Sequence, residues 1–312
     1  MHIPDNYLSP STCAIMAATM VPLWAIAAKK VKNEISRAKM PLLGVGAAFS
    51  FLIMMFNIPL PWGTTGHAVG GTLLSILMGP FASCLSITAA LLVQAVMFGD
   101  GGILAFGANC FNLAFIMPFL GYFTYKFIKG RVKTLKGEYA AIAIGSYIAI
   151  NLAAFFAAIE FGLQPIFFKD IAGQALYNPY PLSISIPAMV IPHLLVVGAV
   201  EAVFTTAVYT FIKNISPGTI YEGAKEKISA VYVLIVAMIC LSPIGLIASG
   251  TAWGEWEGVS GMTRYFDFKA LLPDYSLGAL PEAKGYILSA VFGAAILLIL
   301  FKMIRRKPCQ TG

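Results

Sequence analysis

Charged side chains are scarce in this sequence. They make up 11% of its 312 residues, whereas hydrophobic residues make up 59%. A soluble globular domain carries about a quarter charged residues, so this chain has too few polar groups to cover a water-exposed surface. The composition excludes a soluble fold and indicates an all-α, polytopic bundle of membrane helices.

Cysteine pairs and P-loops are lacking as well. The five cysteines are scattered and form no C-x-x-C pair, which argues against a thiolate metal site or a disulfide framework. No G-x-x-x-x-G-K-[ST] loop occurs, so we expect no ATP hydrolysis by the chain itself. The opening MHIPDNYLSP has no basic start and no small-residue cleavage pattern. Since His2 is too large to favour removal of the initiator methionine, we expect Met1 to remain with a free amine.

Long apolar runs are abundant. A membrane-spanning helix needs roughly 20 mostly apolar residues, and nine runs approach that length. They predict about seven helices in the first two thirds of the chain and two more after them. The predicted spans are 10–28, 40–57, 66–80, 81–98, 107–128, 138–161, 184–212, 228–249 and 285–304.

Basic residues form four clusters, which follow the first, fifth, seventh and ninth predicted spans. If the nine spans simply alternate, all four clusters lie on one side, and an excess of lysine and arginine marks the cytoplasmic side. The net charge of +7 therefore reflects topology, and we expect no nucleic-acid partner. The amino terminus is then outside, the carboxy terminus is cytoplasmic, and His67 shares the outer face with His2.

Histidine is rare, with three in the chain, yet two of them share that face. Met1 offers its terminal amine, and His2 offers its peptide nitrogen and imidazole Nδ1, so that three nitrogens lie in one plane. His67 would supply a fourth. Square-planar nitrogen coordination is typical of Ni(II) or Cu(II), whereas zinc prefers a tetrahedron. The residues alone leave two alternatives open: a solvated chain end and a histidine that only forms hydrogen bonds at the membrane interface.

Three stretches resemble the cobalt/nickel substrate-binding (S) components of energy-coupling factor transporters. The first is MHIPDNYLSP, similar to the family's MHIPDGFLSP-type opening. The second runs from GHAVGG to GANCFNLA and has the patterns H-x-x-G-G, L-x-G-P, Q-A, F-x-D-G-G and G-A-N-x-x-N; the third is PHLLVVGAVEAVFTT. Asn6 stands where the family commonly has glycine. Because Asn tolerates a left-handed backbone better than most residues, we expect the turn to be kept.

The tail resembles the small companion subunit of these transporters, which some systems fuse to the S component. The similar stretches are LSPIGLIASGTAWGEWEG and LLPDYSLGALPEAKGY, followed by the last span. The resemblance implies an S component over 1–212, a cytoplasmic linker over 213–227 and a companion region over 228–312. That region would have two spans and an extracytoplasmic loop, 250–284.

The resemblance also implies a function. The amino-terminal segment would fold back and place Met1 and His2 near His67, to hold Ni(II) or Co(II) for uptake. A transmembrane T component and two ABC-type ATPases would be the partners in the cell membrane, with no organic cofactor. We expect a transport component rather than an enzyme, with nickel favoured over cobalt by the planar nitrogen set. An ion- or proton-coupled secondary transporter is the alternative, although its inverted repeats are not evident.

Polar residues near the outer end of the fifth span are candidates for orienting the ligands, because a metal-bound imidazole usually needs a partner for its other ring nitrogen. These candidates are Asp100, Asn109 and Asn112, and hydrogen bonding between helices is the equal alternative for the two asparagines. His193 and Glu201 lie eight residues apart, on one side of span seven. Structural hydrogen bonding is favoured for both over a proton relay, and neither is predicted to bind the metal.

Overall fold

The computed structural model describes residues 2–34, 40–60, 64–215, 229–247, 262–263, 265–278 and 280–304. Six helices in this part of the chain are long and apolar enough to cross a membrane, and two shorter apolar helices accompany them. The one sheet among these residues is a two-stranded antiparallel hairpin. The predicted all-α, polytopic membrane bundle is confirmed.

The helices follow the predicted apolar runs closely. Three of them contain or continue into a π-helical stretch, a feature often found at functional sites. The elements are α1 (Pro10–Glu34), α2 (Met40–Met54), β1 (Ile58–Leu60), β2 (Thr64–Gly66), α3 (Gly71–Met78), α4 (Pro80–Val93, then π-helical Gln94–Phe98), α5 (Phe106–Asn109, then π-helical Cys110–Ile116), α6 (Met117–Arg131), α7 (Leu135–Phe167), α8 (Leu182–Pro192, then π-helical His193–Val197), α9 (Gly198–Ile215), α10 (Ser229–Leu241, then 3₁₀-helical Ser242–Ile247) and α11 (Glu282–Ile304).

The predicted span 66–80 is helical over only part of its length. Helix α3 has eight residues and is therefore about 12 Å long. Gly70 and Gly79 bound it, both with positive φ (71° and 87°), and Pro80 starts the next helix. The four residues before α3 are non-helical, and His67 is the first of them. This irregular stretch places an imidazole inside the bundle instead of on a helix face.

The carboxy-terminal region is packed into the core of the bundle. Helix α2 is buried along nearly its whole length, and α11 lies against it. A Cβ at Gly293 would come 2.1 Å from the Phe51 ring, and a Cβ at Gly44 would come 2.9 Å from the Cβ of Phe301. Small residues at these positions allow the two helices to approach closely, as at other membrane helix interfaces.

The first residues of the chain fold back into the bundle. Ile3 and Leu8 are fully buried, and Asn6 between them has φ 71°, the left-handed conformation expected for this turn. Its side chain is held in place: Oδ1 accepts from the backbone N–H groups of Tyr265 and Phe266, each at 3.1 Å, and Nδ2 donates to the carbonyl of Phe266. Asn6 therefore serves the turn both through its backbone and through its contacts with the carboxy-terminal region.

Candidate metal-binding site

His2 and His67 meet inside the bundle. Their ring centroids lie 4.8 Å apart, and each residue is 3% exposed. The Nε2 atoms of both rings are buried without a hydrogen-bond partner among the described residues. Buried polar atoms nearly always have a hydrogen-bond partner. Two neighbouring imidazoles that each leave one nitrogen without a partner therefore indicate a site for a further ligand.

Asn109 forms two hydrogen bonds with the backbone of the amino-terminal segment. Its Oδ1 accepts from the N–H of Ile3 at 2.7 Å, and its Nδ2 donates to the Ile3 carbonyl at 3.0 Å. The N–H of Gly102 donates to the same carbonyl at 2.8 Å. Asn109 thus positions the backbone next to His2.

Asp5 ties the same segment to the loop before α5. Its carboxylate accepts from the backbone N–H groups of Ile103 and Leu104, at 3.0 and 2.8 Å. Gly102 makes this approach possible, because a Cβ there would lie 2.4 Å from Asp5 Oδ1. A Cβ at Gly102 would also lie 2.5 Å from the backbone nitrogen of Asp5, so glycine is required there for close contact between the two backbones.

Asp100 lies beside the His2 ring. Its Oδ1 is 2.5 Å from Nδ1 of His2, and its Oδ2 accepts from the Tyr275 hydroxyl at 2.5 Å and from Nε2 of Gln94 at 3.1 Å. Burial would raise the pKa of the Asp100 carboxyl, but the charge of His2 and hydrogen bonds from His2 and Tyr275 lower this pKa below its ordinary value. The group is an anion beside the two imidazoles.

The contact with Asp100 occupies the nitrogen of His2 that the sequence argument assigns to chelation. Nδ1 is hydrogen-bonded, and Nε2 is the unsatisfied atom. Chelation through Nδ1 would therefore require this nitrogen to give up its contact with Asp100.

His67 is prepared as a neutral donor. Its Nδ1 lies 3.2 Å from the carbonyl of Ala68, to which it donates, so that Nε2 keeps its lone pair. A neutral imidazole is the form that binds metal ions, and this hydrogen bond leaves Nε2 as the nitrogen available to a metal.

Glu201 is a positioning residue that sequence reasoning left without a specific role. Its fully buried carboxylate accepts from the N–H groups of Val69 and Gly70 at 2.8 and 3.1 Å. These bonds hold the non-helical stretch that carries His67. The signal in the sequence was an acidic residue inside an apolar helix. Burying its charge costs free energy unless the carboxylate is paired.

Asn112 and His193 have hydrogen-bond partners of their own, and other predicted residues lie outside the described part of the chain. Nδ2 of Asn112 donates to the Glu160 carboxylate at 3.0 Å, and Nδ1 of His193 bonds the carbonyl of Met189 at 2.7 Å.

Met1 and most of the linker, from 216 to 227, lie outside the described residues. Within the described ranges, no group of three or more His, Cys, Asp or Glu side chains is suited to hold a metal ion.

Comparisons with known families match both parts of the chain. Residues 2–219 match the model of the cobalt uptake substrate-specific transmembrane region, and residues 227–306 match the PDGLE domain. The first match contains His2, His67 and Asp100, and the second contains Tyr275. The boundary between the two matches falls within the basic stretch after α9.

Similar proteins cover the whole chain. The probable fused nickel transport protein LarMN of Lactiplantibacillus plantarum is 47% identical over 98% of each chain. The fused nickel transport protein NikMN of Rhodobacter capsulatus is 40% identical over 96% of this chain and 95% of its own. The crystal structure of a truncated transition metal transporter has a TM-score of 0.66 and 51% identity, and covers 69% of this chain and 99% of its own.

Proposed function

This chain belongs to the family of cobalt uptake substrate-specific transmembrane regions and carries a PDGLE domain behind it, and on that premise we propose that it is the substrate-binding component of an ATP-driven energy-coupling factor importer. It is a multi-pass membrane protein of nickel/cobalt transport. The proposal divides it into an S component over 1–212, a cytoplasmic linker over 213–227 and a companion region over 228–312 with an extracytoplasmic loop, 250–284.

The observation that carries the proposal is the close approach of two buried imidazoles, with Nε2 of His67 left without a hydrogen-bond partner. We propose that the transported ion binds there, to the terminal amine of Met1, the backbone nitrogen and imidazole of His2 and the imidazole of His67. The imidazoles of His2 and His67 can each donate a nitrogen lone pair to a metal ion. The negative charge of the Asp100 carboxylate beside them would offset part of the charge of a buried divalent cation.

Nickel is the proposed substrate, with cobalt as the alternative. A set of four nitrogens in one plane suits Ni(II) better than ions that prefer a tetrahedron or oxygen ligands. Fused relatives that cover the whole chain are named as nickel transport proteins, which supports the same choice.

Coupling to ATP would come from other subunits, because the sequence has no P-loop. We propose a transmembrane T component and two ABC-type ATPases as partners, with the amino terminus outside and the carboxy terminus in the cytoplasm. A secondary transporter is the alternative; ATP-independent uptake by the chain without partners in proteoliposomes would favour it.

Metal analysis of the purified protein tests this function. After expression with nickel and cobalt both supplied, we expect one Ni(II) per chain and the d–d absorption of a square-planar site. An octahedral spectrum would contradict the ligand set, and cobalt as the main bound ion would replace the proposed substrate. His193→Ala is a suitable control, since His193 is buried and hydrogen-bonded within its own helix region; it should keep the metal content.

Binding should weaken as the pH falls through about 6–7, because the amine and amide nitrogens must lose protons to bind. Ni(II) titrations between pH 5.5 and 8 would measure the effect. A flat affinity over this range would argue against the amine and amide ligands.

A further inference from the structure

Tyr275, in the described part of the carboxy-terminal region, reaches the proposed metal site with its side chain. This residue lies 175 positions from Asp100 in sequence, and it is 2% exposed. Its hydroxyl donates to Oδ2 of Asp100 at 2.5 Å and accepts from Nε2 of Gln94 at 3.2 Å. Gln94 also donates to the same Oδ2 at 3.1 Å. The three side chains form a closed triangle of hydrogen bonds behind His2.

The Tyr275 ring is fixed from several sides. It stacks on Phe98 with centroids 4.6 Å apart and an interplanar angle of 21°, and Tyr286 lies 5.2 Å away on α11. The backbone is fixed too: Ser289 Oγ donates to the Tyr275 carbonyl at 2.9 Å. These contacts tie the position of the hydroxyl to helix α11.

The backbone at this point is strained. Asp274 and Tyr275 have φ of 54° and 58°, a left-handed conformation that residues with a side chain rarely adopt. Such conformations persist where the surrounding structure determines them, and they occur often at binding sites. Here the strained pair turns the tyrosine inward, and the N–H of Leu272 anchors the approach to it by donating to the Met97 carbonyl at 2.7 Å.

We propose that Tyr275 is a positioning residue for the metal site: its hydroxyl, together with Gln94, holds Asp100 in the orientation that presents Oδ1 to the His2 ring. The inference rests on the proposed function, since it assigns a role at that same site. It also gives the fused companion region a direct part in substrate binding. The region would complete the site by a hydrogen bond to the carboxylate that orients a ligand.

The test compares Tyr275→Phe with Tyr286→Phe in the full-length chain. Both substitutions remove one buried hydroxyl from the carboxy-terminal region and keep the ring, but the Tyr286 hydroxyl donates to the Met55 carbonyl at 2.7 Å and does not touch Asp100. We expect Tyr275→Phe to weaken Ni(II) binding about tenfold, the low end of what outer partners of a metal ligand contribute. Its d–d band should shift, because the His2 ring is less well oriented. Tyr286→Phe should bind Ni(II) like the unaltered protein.

A double variant shows whether Tyr275 acts through Asp100. In an Asp100→Ala background, Tyr275→Phe should change the affinity less than about twofold, because coupled residues are not additive. Equal losses in both backgrounds would overturn the inference. So would equal weakening by Tyr275→Phe and Tyr286→Phe with matching losses of thermal stability.

The His67→Ala variant separates the two proposals. If it binds Ni(II) normally, the proposed site fails whatever Tyr275 does. If it loses binding while Tyr275→Phe keeps full affinity and an unshifted spectrum, the proposed function stands and only the role of Tyr275 is overturned.

Discussion

Replacing His67 by alanine should abolish tight Ni(II) binding. The substitution removes a neutral imidazole whose Nε2 is buried and unsatisfied, and no described side chain other than His2 offers a nitrogen in its place. The loss should exceed the roughly 10- to 100-fold effect expected for an outer partner of a metal ligand. Isothermal titration with Ni(II), on detergent-purified protein of verified folding, measures it.

His2→Ala and His193→Ala complete this comparison. His2→Ala should be as damaging as His67→Ala, because the two rings face each other at 4.8 Å. His193→Ala removes an equally buried imidazole whose Nδ1 is bonded to Met189, and it should leave the affinity within about twofold, because His193 is not one of the proposed ligands. If His193→Ala were the most damaging of the three, the proposed site would be wrong.

An uncleaved extension at the amino terminus should also abolish Ni(II) binding. The extension turns the Met1 amine into an amide, which removes one proposed ligand. It must also pass through a crowded place, since His2 and Ile3 are buried. Both the N–H and the carbonyl of Ile3 are hydrogen-bonded to the Asn109 side chain. The measurement is the Ni(II) content of the extended protein before and after a protease restores Met1.

A tag of the same length at the carboxy terminus is the matched control for that experiment. It leaves the amine free and should leave the metal content unchanged. Full Ni(II) binding by the uncleaved amino-terminal form would rule out the amine ligand. Recovery of binding after cleavage would show that the extension blocked the site without unfolding the protein.

Composition and local pattern determined the class of protein and most of its helices. With 11% charged residues the chain cannot form a water-exposed surface, and the apolar runs correspond to helices because a membrane leaves backbone groups no other partner. The departure at 66–80 follows from local chemistry as well: Gly70 and Gly79 adopt positive φ, so the helix there is short. The pairing of His2 with His67 was expected from their shared outer face and from the family resemblance.

The arrangement around that pair was decided by tertiary structure. Asn109 and Asn112 look equivalent by helical spacing, but the π-helix that starts at Cys110 has more residues per turn than an α-helix. Side chains three apart then no longer share a face, and the two amides have different partners. Nothing in the spacing of the sequence reports such a change of pitch.

Long-range contacts were equally beyond local pattern. Glu201 reaches a backbone 132 residues away, and Tyr275 reaches a carboxylate 175 residues away. Periodicity determines which side of a helix is polar, but it does not determine which distant element will lie against that side. For Tyr275 that choice depends on the packing of α11 against α2, where glycines allow close approach. The sequence by itself therefore determined the membrane bundle and the two histidines, whereas helix packing decided which residues hold them in place.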